Sequence, residues 1–117
     1  MTCRLALAAL ALSAPALAQE VELKPLSLDK QTAMRCSAAF AIGATLQQRG
    51  EAGDWPPLAT RGREFFVRAM AQLMDDTGRT REQVAEVVAA QAKQLSDRPA
   101  LDAAMPPCLL LLEASGL

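Results

Sequence analysis

Cys36 and Cys108 set the strongest limit on this chain, because a fold that bonds them must bring two points about 70 residues apart together. The chain has three cysteines, and the third, Cys3, lies in a segment built like a cleavable secretory signal peptide. Arg4 supplies the positive n-region. Leu5 to Leu12 form an unbroken stretch of Leu and Ala, and Ser13 and Pro15 break it ahead of Ala16-Leu17-Ala18, a small-x-small cleavage site. A spanning helix needs about 20 apolar residues, whereas this run is shorter and interrupted by Pro15. Cleavage of residues 1–18 discards Cys3 and makes Gln19 the first residue, where a lipoprotein would need a cysteine. In an oxidising export compartment, the bacterial periplasm or the medium, the remaining lone pair reads as a disulfide. A redox-active pair usually sits as Cys-x-x-Cys, a spacing absent here. Closing so long a loop is worth about 4 kcal/mol in the chain-entropy model, a large share of a small domain's net stability.

Removing 18 of 117 residues leaves 99, the size of one domain, which buries about two thirds of its unfolded surface. Loss of Arg4 takes the basic count from 12 to 11 against 13 acidic residues, a net charge of −2. That balance argues against nucleic acid, which calls for a basic patch or stripe. Nothing after residue 18 approaches transmembrane length, so no membrane contact is expected after cleavage. The aromatic residues are Phe40, Phe65, Phe66 and Trp55, with no Tyr. The core must then come from Ala, Leu, Val and Met, which suits close-packed helices better than a sheet.

The pattern along the chain predicts an all-α bundle of three main helices and a short C-terminal one, occupying 27–117 as a single domain. Residues 19–26 lack helical period, contain Pro25 and read as an extended lead-in. Ser27 is a suitable N-cap for a helix from Leu28 to about Arg49, with Gly50 as its stop. Cys36, Phe40 and Gly43 share a face of this helix with Ala33 and Ala39 beside them, while Asp29, Gln31, Arg35 and Gln47 belong to the wetter side. Residues 50–57 hold two glycines and two prolines and form a loop.

The second helix runs from about Leu58 to Thr77, with Gly78 as its stop. Leu58, Gly62, Phe65, Phe66, Ala69, Met70, Leu73 and Met74 recur on it at helical period. Arg61, Glu64, Arg68, Gln72 and Asp75 on the opposite face are spaced for a ladder of surface ion pairs. Thr80-Arg81-Glu82-Gln83 is a capping box opening a third helix from Arg81 to about Leu95, apolar at Val84, Val87, Val88, Ala92 and Leu95. The tight turn between them predicts an antiparallel helical hairpin. Pro99 interrupts any continuation. Leu101 to Met105 is expected as a short helical turn, and Pro106-Pro107 as the start of another. Cys108 to Leu112 then reads as a short buried helix; an exposed patch at Leu109–Leu112, or a strand, is the alternative.

The side chains offer little chemistry. There is no His, which removes the commonest general base and metal ligand. With both cysteines bonded, neither a thiolate nor a zinc site remains, and no phosphate-cradling glycine motif exists. Ser37 has no base near it in sequence and reads as helix filler. Asp75-Asp76 is the one adjacent carboxylate pair, and it sits in a solvated last turn. Arg61, Arg63 and Arg68 could receive an anion, but Glu64 among them favours a surface charge ladder. Trp55, alone in a Pro/Gly loop, is either a lid over the core or an exposed partner contact. No catalytic residue, metal or cofactor is expected, and an enzyme is not indicated.

Arg35-Cys36-Ser37-Ala38-Ala39-Phe40, Trp55-Pro56-Pro57 and Met105-Pro106-Pro107-Cys108 together resemble small exported bacterial helical proteins with one disulfide. The resemblance spans most of the chain after residue 18; it implies a fold and an address, not an activity. More loosely, the architecture is similar to periplasmic acid-stress chaperones and to immunity proteins of type VI secretion. Both are short helical domains with a signal peptide and one disulfide. No functional residue of either maps onto a position here, so that likeness is one of fold.

Two functions follow as expectations. A protein-binding module of the periplasm (chaperone, inhibitor or immunity factor) predicts an exposed apolar or aromatic patch, at Trp55 or Leu109–Leu112, and is compatible with a homodimer. A small-ligand carrier or enzyme predicts a closed cavity with convergent polar groups. A cavity of several hundred Å³ lined with Arg and Asp would weaken the first. The acid-chaperone version needs a surface that opens as carboxylates titrate near pH 4; apolar-dye fluorescence that stays flat from pH 7 to about pH 2 excludes it.

Overall fold

The computed structural model describes residues 23–117. Residues 1–18, expected as an export signal, and the first part of the expected lead-in, 19–22, lie outside the described residues, and 23–27 carry no regular secondary structure. Four helices follow: α1 (Leu28–Gln48), α2 (Ala59–Thr77), α3 (Arg81–Leu95) and α4 (Arg98–Ala114). No strand occurs among the described residues, and the all-α bundle is the one the composition indicates.

Local chemistry sets the boundaries. The Ser27 hydroxyl accepts the Lys30 N–H at 3.4 Å, a long cap that opens α1. Gly50 and Gly78 both have φ of +70°, the left-handed conformation that ends a helix at least cost with glycine. The capping box of α3 is fully formed: the Thr80 N–H donates to Gln83 Oε1 at 2.8 Å and the Gln83 N–H to Thr80 Oγ1 at 3.2 Å.

α1 is the central element. Cys36, Ser37, Ala38, Ala39 and Phe40 are all buried, and five successive residues at 100° steps cover the whole circumference of a helix. The middle of α1 thus has no solvent face and is enclosed by α2, α3 and α4. Apart from Phe40 these side chains are small, which lets three helices approach closely. Gly62 of α2 sits on Phe40, where a Cβ would lie 2.8 Å from Phe40 Cβ. Phe65 of α2 meets Phe40 edge to face, with ring centroids 5.3 Å apart. The Ser37 hydroxyl donates to the Ala33 carbonyl at 2.7 Å, so burial leaves it satisfied within its own helix. A smaller core of Met34, Leu73 and Val84 joins α1, α2 and α3 at the other end. Met34 was not distinguished by the sequence pattern, because the wrap-around burial of α1 gives it no stripe to belong to.

The Cys36–Cys108 disulfide links the middle of α1 to α4 with Cα atoms 5.2 Å apart. Both cysteines are buried among Phe40, Leu95, Leu101 and Met105.

Two expectations change. The C-terminal region is not a broken pair of short turns but one helix of 17 residues running through Pro106 and Pro107, with Pro99 in its first turn. Pro99 fits there because the first N–H groups of a helix need no helical partner. Pro106 and Pro107 remove the hydrogen bonds that the Asp102 and Ala103 carbonyls would accept. All four residues are exposed, so water can take the place of the missing donors, while Leu101, Met105, Cys108 and Leu112 anchor the other side in the core. Secondly, α2 and α3 are joined by the tight turn as expected, but each rests chiefly on α1 and only lightly on the other. An enclosed central helix takes the apolar faces of both.

Candidate functional site

An apolar groove of about 470 Å³ lies between the first turns of α1, the middle of α2 and the end of α4. Its apolar lining comes from Met34, Phe65, Ala69, Leu73, Leu111 and Leu117. The helices place these by period: Phe65, Ala69 and Leu73 recur every four residues on α2, and Leu73 and Met34 meet in the smaller core. Asp29, Lys30, Arg68 and Asp76 form its charged rim. Lys30 Nζ lies 3.5 Å from Asp76 Oδ2, a pair exposed enough to contribute little to stability. Arg68 and Asp29 take part in no ion pair among the described residues. The groove thus offers an apolar bed and single charges of both signs, without a cluster of one sign.

The three arginines do not converge. Arg61 turns to the end of α4, where its Nη2 lies 3.1 Å from Glu113 Oε1 and its Nε donates to the Leu117 carbonyl at 2.8 Å. Arg68 edges the groove, and exposed Arg63 stands beside a separate shallow hollow near Phe66. The expected ladder along α2 is absent: among the described residues the ion pairs are Lys30–Asp76, Arg61–Glu113 and Arg98–Asp102. An exposed pair hardly repays the entropy of fixing two long side chains, and Arg61 gains two partners by reaching across to α4. Asp75 and Asp76 are exposed in the last turn of α2, as expected.

Trp55 is half-buried against the main core. Its Cε3 lies 3.6 Å from where a Cβ on Gly43 would stand, so its ring covers the end of α1 nearest the loop. The Arg98 guanidinium stacks on the indole 5.2 Å from the centroid. Its Nη1 donates to the Glu51 carbonyl at 2.8 Å and its Nε to Asp102 Oδ1 at 2.9 Å. Gln47 clamps the same loop from below. Its Nε2 donates to the carbonyls of Trp55 at 3.3 Å and Pro56 at 2.7 Å, and its Oε1 accepts the Leu58 N–H at 3.0 Å. Gln47 and Arg35, assigned by pattern to the wetter side, are therefore half-buried connectors; Arg35 donates to Gln91 and Gln94 of α3, both at 3.4 Å. The pattern did not mark Gln47; the one related signal is that Pro56 and Pro57 bring no N–H to the loop, which leaves it short of backbone donors. Nothing in the sequence marked Arg79, which is 9% exposed and donates to the Lys24 carbonyl at 2.7 Å, tying the lead-in to the α2–α3 turn.

The Leu109–Leu112 run divides. Leu112 is buried, Leu109 and Leu111 are half-buried, and Leu110 is 73% exposed. Helical period carries one residue in four to the outside, so the expected fully buried segment is not what forms. Among the described residues no group of three His, Cys, Asp or Glu side chains is placed to hold a metal ion, and no helix is long and apolar enough to cross a membrane.

No known family, curated protein or solved structure matches this chain.

Proposed function

We propose that this chain is a small exported, non-enzymatic binding protein that seats an apolar segment of a partner protein in the groove between α1, α2 and α4. The observation that carries this is the pairing of an apolar lining with isolated charges of both signs at the rim. Apolar side chains of a partner would fill the bed, and Arg68 and Asp29 would select charged residues beside them. The buried disulfide supports export, and it fixes α4 against α1, so two walls of the groove keep their spacing.

The same space also strengthens the small-ligand reading. A volume of several hundred Å³ with Arg68, Asp29 and Asp76 around it is within the range of small-molecule sites, and the binding-module reading loses ground accordingly. It keeps precedence because the groove is open and its polar groups do not converge on one point, with Lys30 already taken by Asp76.

A photo-crosslinking residue at Gln72, which lines the groove, separates the two in the exporting cell. A discrete protein adduct at Gln72 and none from the same residue at exposed Ala90 on α3 is the expected result. Absence of a groove-specific adduct, with a small molecule retained in native mass spectra, would transfer the function to a carrier.

A further inference from the structure

We propose that the outward face of α4 is a self-association surface, on which a second copy of this chain packs with its own α4 antiparallel to the first. Pro99, Ala103, Pro106, Pro107, Leu110 and Ala114 are all exposed, Leu110 by 73%. At 100° per residue they fall within an arc of about 100°, and no polar residue shares that arc. The opposite side of α4 is the one anchored in the core through Leu101, Cys108 and Leu112. A surface helix ordinarily turns polar groups outward; α4 is apolar on both sides.

The spacing of the stripe selects a second copy as the occupant. It is symmetric about the Pro106–Pro107 bond: Ala103 and Leu110 each stand three residues from the nearer proline, and Pro99 and Ala114 seven. A two-fold axis through that bond lays Leu110 over Ala103 of the second copy, and Ala114 over its Pro99. Leu110 meets the small Ala103 and Pro99 the small Ala114, with the prolines facing each other at the centre, and the same patch serves both chains, as an isologous interface requires. The charges agree. Arg98, Asp102 and Glu113 lie on one flank of the stripe, and like flanks meet in an antiparallel pair. Arg98 near one end of α4 then comes beside Glu113 of the second copy, twice over. The Glu113 side chain remains 69% exposed beside Arg61 and can accept a second cation.

The size of the contact sets its strength. α4 spans about 25 Å, and one helix pair falls short of the roughly 800 Å² per partner of a standard interface. The Asp102 and Ala103 carbonyls, left without helical donors, retain water at its centre. Association is therefore weak, reversible and dependent on concentration.

Sedimentation of the purified, disulfide-bonded protein up to about 1 mM should show a monomer–dimer equilibrium, which Leu110→Glu weakens at least about tenfold without changing the melting curve. Register is read by thiol crosslinking. A mixture of the Ala103→Cys and Leu110→Cys variants should yield crosslinked heterodimers well ahead of either variant alone, since only the antiparallel pairing brings those two positions together. A protein that stays monomeric throughout, a dimer indifferent to Leu110→Glu, or crosslinks no faster in the mixture overturns the proposal. The last two outcomes point to a different face, and the first to a stripe reserved for another protein.

Discussion

At Gly62 and Gly43 the same substitution should have different consequences. A methyl on Gly62 would stand 2.8 Å from Phe40 Cβ, an atom fixed to the backbone of the central helix. Alanine gains up to about 1 kcal/mol of helix propensity, but overpacking against an immovable neighbour costs about 1–3 kcal/mol. Gly62→Ala should be destabilising by about 1 kcal/mol or more, a fall of several degrees in Tm for a domain this small. A methyl on Gly43 would meet Leu58 Cδ1 at 2.7 Å and Met105 Cε at 3.0 Å, both at the ends of side chains that can rotate away. Gly43→Ala should stay within about 0.5 kcal/mol of the parent. Urea titrations of the two variants side by side test the contrast, and equal losses would show that the close approach is not what selects glycine. A second residue-scale prediction concerns Arg98, which stacks on the chain's single Trp. Arg98→Ala removes that contact and the bond to the Glu51 carbonyl, together worth about 1–2 kcal/mol. Trp55 emission should shift to the red as the loop loosens while far-ultraviolet circular dichroism stays constant; an unshifted spectrum would mean that Gln47 alone holds the lid.

At the scale of elements, the two prolines of α4 work against the helix they occupy. Each removes a backbone hydrogen bond, yet the buried side of α4 is apolar enough to carry the helix through them. Pro107→Ala restores a donor to the Ala103 carbonyl and should stabilise the fold by about 1 kcal/mol or more, reduced by the extra freedom the unfolded chain gains. A fall in Tm for this variant would show that the proline ring, and not the helix, is the favoured partner at that position. The sequence made α1, α2 and α3 legible almost to the residue, because each carries its own local punctuation: Ser27 and Gly50, Gly78, and the Thr80–Gln83 box. α4 has Pro99 at its start and Gly116 at its end but two apparent breakers between them, so its continuity could be seen only with the tertiary contacts of Met105 and Cys108 in place. The groove was less legible still. Its apolar members appeared as the periodic face of α2, but which of them the bundle leaves uncovered depends on where the end of α4 lies, and Leu111 and Leu117 carry no mark of it.

For the whole molecule the disulfide decides what holds together under stress. It joins α1 to α4 across a separation of 72 residues, so it constrains most of the helical domain in the unfolded chain. The chain-entropy model gives about 4 kcal/mol for such a loop, comparable to the burial of two large apolar side chains. Cys36 and Cys108 are 1% and 2% exposed, so a thiol reductant cannot reach either sulfur in the native state. Reduction should then proceed through unfolding, and its rate should track the global opening free energy. In dithiothreitol at pH 8 the native protein should keep its bond for long periods, and sub-denaturing urea should accelerate loss in proportion to the fall in stability. The Cys36→Ser, Cys108→Ser double variant should lose about 3–5 kcal/mol, its two buried hydroxyls adding to the lost constraint, and the Cys36→Ala, Cys108→Ala pair should lose somewhat less. Rapid reduction without denaturant would mean that α4 separates from α1 on its own. The groove, which takes one wall from each of those helices, would then open with it, and the proposed binding there would become sensitive to redox conditions.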